Sequence, residues 1–398
     1  MSRLWDKGLP LDQRVLRYTA GEDHLLDDRL LVYDVRGSIA HAEMLSAQGL
    51  LSTEDCAAIC AGLGRLADSY AAGEWSITLE DEDVHTALES RLTDAIGAAG
   101  GRLHLGRSRN DQVLTALRLY LADATETIRS CVRGLQDATT RLAARDGDIT
   151  LPGYTHMQHA MPSSVRLWSE GFAEAFADAL DGLEAAKRRI DKNPLGSAAG
   201  YGTPGLPLDR ELTTAKLGFS QTQVPVTAVQ LSRGKAESGL LFEITLLLQD
   251  IGRMAADLLL FYTQEFAYVA LADEVTTGSS IMPQKRNPDV LELLRAASAS
   301  AHACLGEALM ITAKLPSGYQ RDLQRLKAPL FRAIDLAIDS VDIMALVLDG
   351  LQFRADHIKL DDGIFATAEA YRLVLEEGLP FRDAYQAIAR KFARQPPQ

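Results

Sequence analysis

Residues 109–144 read RNDQVLTALRLYLADATETIRSCVRGLQDATTRLAA, and the spacing inside this stretch decides the architecture. Apolar residues recur at Val113, Leu114, Leu117, Leu121, Ile128 and Leu135, which is helical spacing. The same pattern returns from Val165 to about Ile190, Thr227 to about Val269, Pro288 to about Ala313, and Leu323 to about Leu348. Five helices of roughly 25 to 45 residues exceed the usual globular length. Helices that long bury their stripes best side by side, as a bundle. Alternating β-branched patterns are nearly absent, so the chain is predicted to be all-α.

Length supports more than one unit, because at 398 residues a single hydrophobic core has stopped growing. The expected division is an N-terminal helical domain at 1–105, a central long-helix bundle at 106–352 and a smaller helical domain at 353–398. Sparse aromatics (6%) with abundant Ala and Leu also lean towards helix. The net charge of −13 argues against nucleic acid or an anionic membrane as partner. It leaves an anionic small molecule open, since a pocket can collect cations that the total hides.

The most apolar stretch, Gly239 to Tyr262, is interrupted by Glu243, Asp250, Arg253 and Asp257, so it reads as a buried helix and not a membrane span. The start, Met1 to Asp6, lacks the apolar run of a signal peptide. Cys56, Cys60, Cys131 and Cys304 show no metal-type pairing and read as residues of a reduced cytoplasmic protein. No nucleotide loop or metal site is visible, so no cofactor is expected.

Polar, Gly-rich joints separate the helices at Leu103 to Ser108, Leu151 to Pro162, Asn193 to Asp209 and Ala272 to Asn287. Joints at the ends of rigid helices are where chemistry tends to sit. The last contains Thr277-Gly278-Ser279-Ser280-Ile281-Met282-Pro283-Gln284-Lys285-Arg286-Asn287-Pro288. Asn287 suits an N-cap, Pro288 the first helical position, and Asp289 the positive end of the helix dipole. Lys285 and Arg286 are the anomaly: cations just before a positive helix terminus are disfavoured unless an anion sits among them. The loop therefore reads as a mobile anion-binding lid.

Gly278 to Pro288 resembles the signature of the fumarase/aspartase superfamily. The resemblance implies that Ser279 is the catalytic base and that Lys285 with Asn287 holds a substrate carboxylate. Elimination beside a carboxylate builds a doubly negative aci-carboxylate, which a lysine and fixed N–H donors would stabilise. Serine acts as a base only beside positive charge in a closed, dry site, which a closing lid would supply.

The second joint carries Thr155-His156, which is similar to the family pair whose histidine is held by a glutamate five residues past the signature asparagine, here Glu292. A carboxylate partner would suit His156 to proton donation. A third run, Leu103 to Gln112, has a bland reading in which Ser108 and Asp111 form a capping-box-like pair. Yet Arg107 and Arg109 at a helix start call for anions. Gly106 to Gln112 looks like the argininosuccinate lyases in particular, where Ser108, Arg109 and Asn110 would hold substrate carboxylates. That family usually has threonine where this chain has Leu105.

Further resemblance places Tyr319, Gln324 and Lys327 among the substrate contacts, with Gln324 and Lys327 three apart on one helical face. Glu82 to His85 is similar to the family's N-terminal site segment; His85 reads equally well as an exposed helix residue. Asp34 to His41 and Asn193 to Gly200 also match, and the former follows Asp23 and Asp27, where the family closes over the arginine end of its substrate. Matching segments run from Leu4 to about Tyr385. Beyond Tyr385 the family usually continues with more helix, whereas this chain stops at Gln398, which predicts a reduced last domain.

The resemblance thus implies a fumarate-releasing carbon–nitrogen lyase of arginine biosynthesis, cytoplasmic, acting on a small anionic substrate. It implies a homotetramer with sites built at subunit junctions. The joints lie at opposite ends of helices of about 45 Å, too far apart to meet in one straight bundle. A sibling lyase acting on another N-succinyl amine, and a catalytically silent structural relative, stay open as alternatives.

Overall fold

The computed structural model describes residues 12–392. Met1 to Asp6, the Leu4 end of the matching segments and the terminal Gln398 lie outside the described residues. Helices of eight residues or more are α1 (Gln13–Ala20), α2 (Leu31–Ala47), α3 (Thr53–Ala71), α4 (Val84–Ile96), α5 (Arg109–Asp146), α6 (Val165–Ile190) and α7 (Arg210–Leu217). They continue as α8 (Lys235–Tyr262), α9 (Asp289–Thr312), α10 (Lys327–Gly350), α11 (Ala366–Glu377) and α12 (Phe381–Phe392). The fold is all-α apart from two short strand pairs. No described helix is long and apolar enough to cross a membrane.

The residues fall into two compact units along a different line from three consecutive segments. The first comprises the described residues up to Ile128 with Gly182–Thr245 and Ala301–Asp335. The second comprises Arg129–Asp181, Leu246–Ser300 and the described residues from Leu336 onward.

In the first unit α5 is enclosed on several faces. Leu114, Leu117, Leu121 and Ile128 are buried as the spacing predicts, and so are Thr115, Ala116 and Leu119 on other faces. Arg118 is buried there too, donating to the Lys192 carbonyl (2.6 Å) and Ser232 Oγ (2.7 Å). Burial pushes its guanidinium down to about 10. Helix α2 packs on α3, and α3 on α4.

Three expectations are corrected. The helix predicted from Thr227 to Val269 is broken: a short turn at Thr227–Leu231 precedes α8, which ends at Tyr262. Gly234 sits at the break with φ +81°, where a Cβ would lie 2.2 Å from Thr312 Cγ2. Its N–H is taken by Glu237 Oε2 (2.7 Å), which starts α8 afresh. The helix predicted from Leu323 opens instead as a 3₁₀ segment, Arg321–Leu326, before α10.

The joint at Leu151 to Pro162 is a β-hairpin in the second unit, β1 (Thr150–Thr155) with β2 (Gln158–Ser164). Prolines 152 and 162 face each other and a bulge follows Gly153, so the period-two signal never forms. The two-residue turn is His156-Met157, both at positive φ (53° and 60°), the backbone of a type I′ turn without its usual Asn-Gly. A second pair, β3 (Val269–Ala270) with β4 (Gln352–Phe353), is shorter still.

Candidate active site

In the first unit the start of α5 is a fixed platform. Asn110 N–H donates to Ser108 Oγ (3.3 Å) and Ser108 N–H to Asp111 Oδ1 (2.9 Å), so the capping reading of Ser108 holds. Asp111 Oδ2 also accepts from Gly196 N–H (3.0 Å) and Ala198 N–H (2.7 Å), tying the 193–200 loop to the helix start. Burial raises the Asp111 carboxyl to about 6 against the pull of those N–H groups.

Of the two arginines of this segment, Arg109 meets an anion, as its position demands, but one that belongs to the chain, and Arg107 meets a hydroxyl. Arg109 lies 3.3 Å from Asp83 Oδ2 and donates to Thr86 Oγ1 (2.7 Å). Asp83 is itself the N-cap of α4, and although burial would raise its carboxyl, Arg109 and His85 hold it below the usual range. Arg107 is buried and donates to Ser38 Oγ (2.7 Å). Leu105 offers only its carbonyl inward, accepting from His41 Nε2 (2.9 Å).

Arg109 and Asn110 line a small cavity with Asp23, Asp83, Val113, Arg233, Tyr319, Arg321, Gln324 and Lys327. The predicted trio Tyr319, Gln324 and Lys327 thus meets Arg109 and Asn110 in one place. Among the described residues the Asn110 side chain has no hydrogen-bond partner, so its amide is available to a ligand. Gln324 Nε2 donates to the Thr19 (2.9 Å) and Ala20 (3.2 Å) carbonyls, and its Oε1 accepts from Arg321 (3.0 Å). Lys327 is buried and donates to Asp23 Oδ2 (3.0 Å) and Asp27 Oδ1 (2.6 Å). Burial would lower its ammonium; Asp27 and Asp23 reverse that and raise it above the ordinary lysine value.

His85 stands apart from this wall. It is 1% exposed, which overturns the reading of an exposed helix residue, and its Nδ1 lies 3.0 Å from Asp34 Oδ2. Burial would lower the imidazole, but Asp34 raises it; His85 and Arg107 in turn hold Asp34 below the carboxylate range despite burial.

Arg233 escaped sequence reading. It is buried, lines the cavity with its guanidinium 5.8 Å from the Tyr319 ring centre, and makes no ion pair among the described residues. Its only signal was the neighbouring Gly234, hidden inside what read as continuous helix. A buried cation without a counter-charge is costly unless an anion arrives.

In the second unit the signature loop is closed at its neck, Thr277 N–H donating to the Asn287 carbonyl (3.0 Å) and Asn287 N–H to the Thr277 carbonyl (2.8 Å). The Asn287 amide donates across the loop to the Gly278 carbonyl (3.3 Å) instead of capping α9 by its side chain. Ser279 Oγ accepts from the N–H groups of Met282 (3.2 Å) and Ile281 (3.4 Å), donors that favour a charged oxygen over a neutral one. Arg286 pairs with Asp273. Lys285 is exposed and has no carboxylate partner among the described residues. Thr155 and His156 sit exposed at the hairpin tip, and Glu292 is exposed in the first turns of α9. No hydrogen bond joins His156 to Glu292 among the described residues of one chain.

A model of the lyase family matches residues 13–302. An argininosuccinate lyase of Sorangium cellulosum (strain So ce56) is 43% identical over 396 residues, 99% of this chain and 91% of that protein. The chain belongs to the argininosuccinate lyase family. Another argininosuccinate lyase, from Xylella fastidiosa (strain 9a5c), is 42% identical over 98% of this chain and 87% of its own length. The family fold is shared with an EDDS lyase solved in complex with formate (TM-score 0.83, 27% identity, 96% of this chain and 76% of that one). Class II fumarase from Schistosoma mansoni (TM-score 0.79, 19% identity, covering 97% and 91%) shares the fold alone.

Proposed function

We propose that the chain splits argininosuccinate reversibly into arginine and fumarate, in the cytoplasm as a step of arginine biosynthesis. The observation that carries this reading is the cavity of the first unit. It presents Asn110 and Arg233, which makes no ion pair among the described residues, to carboxylates and Asp23 to a cation, which matches a substrate bearing both.

In this reaction Ser279 removes the proton from the carbon beside a substrate carboxylate. Its oxygen takes up negative charge beforehand with help from the Ile281 and Met282 N–H groups. Lys285, which has no carboxylate partner among the described residues, with Asn287 stabilises the aci-carboxylate that forms. The carbon–nitrogen bond then breaks, its electron pair leaves on the guanidino nitrogen, and His156 or a water it orders supplies the proton. Glu292 orients His156, and Thr155, Ser108, Tyr319 and Gln324 complete the substrate's surroundings.

The working form is a homotetramer whose sites are shared between subunits. Two observations support this. His156 and Glu292 are both exposed and unlinked within a chain, and the long helices expose large apolar side chains, among them Leu167 on α6, Phe242 on α8, Leu293 and Met310 on α9 and Leu346 on α10.

Fumarate release from argininosuccinate and from a panel of other N-succinyl amines tests the activity. Fastest turnover of argininosuccinate is expected; a faster sibling compound would reassign the leaving amine, and no turnover of any would reject the lyase reading. Light scattering showing an active monomer would overturn the shared site.

A further inference from the structure

The tip of the β1–β2 hairpin holds a backbone that its residues do not favour. His156 and Met157 both sit at positive φ, a region that L-residues enter only at a cost. Thr155 to His159 are all exposed, so burial of the tip itself does not hold it. Among the described residues the His156 side chain has no hydrogen bond of its own, so its place is set through the backbone.

The hold lies one residue pair back. Tyr154 and His159 face each other across the hairpin, with only Thr155-His156-Met157-Gln158 beyond them. The Tyr154 hydroxyl is 3.0 Å from His159 Nε2, and the two rings meet edge to face with centres 5.0 Å apart. The bulge falls immediately before Tyr154, where such irregularities re-aim a side chain. Behind the tyrosine stands a fixed floor: the Tyr268 hydroxyl at 3.4 Å and the Phe266 ring centre at 6.4 Å. Tyr268 is buried and its backbone is tied on both sides. Its N–H donates to the Phe261 carbonyl (2.8 Å) and its carbonyl accepts from Arg354 N–H (2.8 Å). Burial, and after it the Tyr268 hydroxyl, raise the Tyr154 phenol above its ordinary value, which keeps it protonated and able to donate.

We propose that Tyr154, through the bond between its hydroxyl and His159, is a positioning residue that fixes His156 at the hairpin tip. The floor beneath Tyr154 anchors β1, the bond to His159 anchors β2 to it, and the turn between them has little freedom left. The catalytic part of His156 rests on the lyase function proposed above; the brace itself does not.

The test is fumarate release from argininosuccinate by the full-length protein carrying Tyr154→Phe, which removes the hydroxyl and keeps the ring. The expected result is a kcat lowered about ten- to a hundredfold, with KM changed less than about twofold and the unfolding midpoint unmoved. His159→Leu should act alike, and the double variant should be no slower than the slower single one, because each removes the same bond. His159→Gln, whose amide oxygen can reach the place of Nε2, should stay within about threefold of the wild type. A wild-type rate in Tyr154→Phe, a rise in KM alongside the fall in kcat, or losses that multiply in the double variant would overturn the assignment. If the wild type turns over no N-succinyl compound, the lyase reading falls on its own, and hydrogen exchange decides the brace. Amides of residues 154–159 exchanging about tenfold faster in Tyr154→Phe uphold it, and equal exchange rejects it.

Discussion

The cavity of the first unit and the signature loop of the second treat charge in opposite ways. Around the cavity, Lys327 is held by Asp23 and Asp27, Arg109 by Asp83, and His85 by Asp34. Most of these groups are buried, so each fixes the next in place without any ligand. Among the described residues, Lys285 of the loop has no carboxylate partner and Ser279 is held by backbone N–H groups, while His156 at the hairpin tip and Glu292 on α9 are exposed. The cavity is organised for recognition before substrate arrives. The loop keeps its charge unspent, which suits groups whose partner is the transient dianion.

The sharpest way to break this contrast is Ser279→Ala. Fumarate release should fall by about 10²- to 10⁴-fold, while circular dichroism and arginine binding stay as in the wild type. Lost arginine binding would mean that loop and cavity are not separable in function.

Two lysines sharpen it next. Lys327→Met should cost about 3–5 kcal/mol in denaturant unfolding, because it strands buried carboxylates. Lys285→Met should change stability by less than about 0.5 kcal/mol yet lower fumarate release about 10²- to 10³-fold. Equal effects on stability would erase the distinction.

The buried His85–Asp34 pair makes a pH prediction. The His85 imidazole is raised, so its contribution is complete below about pH 6.5 and is lost as pH rises through the folded value. Asp34 is lowered, so its contribution is present above about pH 4 and is lost as pH falls through the folded value. The stability difference between wild type and His85→Gln should therefore be widest from about pH 4 to 6.5 and shrink at higher pH. Unfolding midpoints across pH check this.

The smallest effect is expected at the hairpin tip. Met157 is exposed at φ 60°, a conformation that glycine adopts more easily. Met157→Gly should raise stability by no more than about 1 kcal/mol, since the glycine also gains entropy when unfolded. Loss of stability would show that the Met157 side chain supports the turn.

Much of this was legible because it is local. The stripe at Leu114, Leu117, Leu121, Ile128 and Leu135 specifies a long helix, since helical periodicity repeats within a few residues. The Gly278 to Pro288 run and the Ser108–Asp111 cap were readable for the same reason. The β-hairpin was not, because facing prolines and a bulge remove the alternation that marks a strand.

Composition and spacing alone specify a long-helix protein, with a cation-bearing polar loop opening one helix and an arginine-bearing cap opening another. Folding in three dimensions settled which charges are already answered: that Asp83 meets Arg109, that Asp23 and Asp27 share Lys327, and that Arg233 makes no ion pair among the described residues. The reason is range. Helix and cap signals act between residues a few positions apart, whereas Lys327 and Asp27 are separated by 300 residues and meet only once the chain has folded.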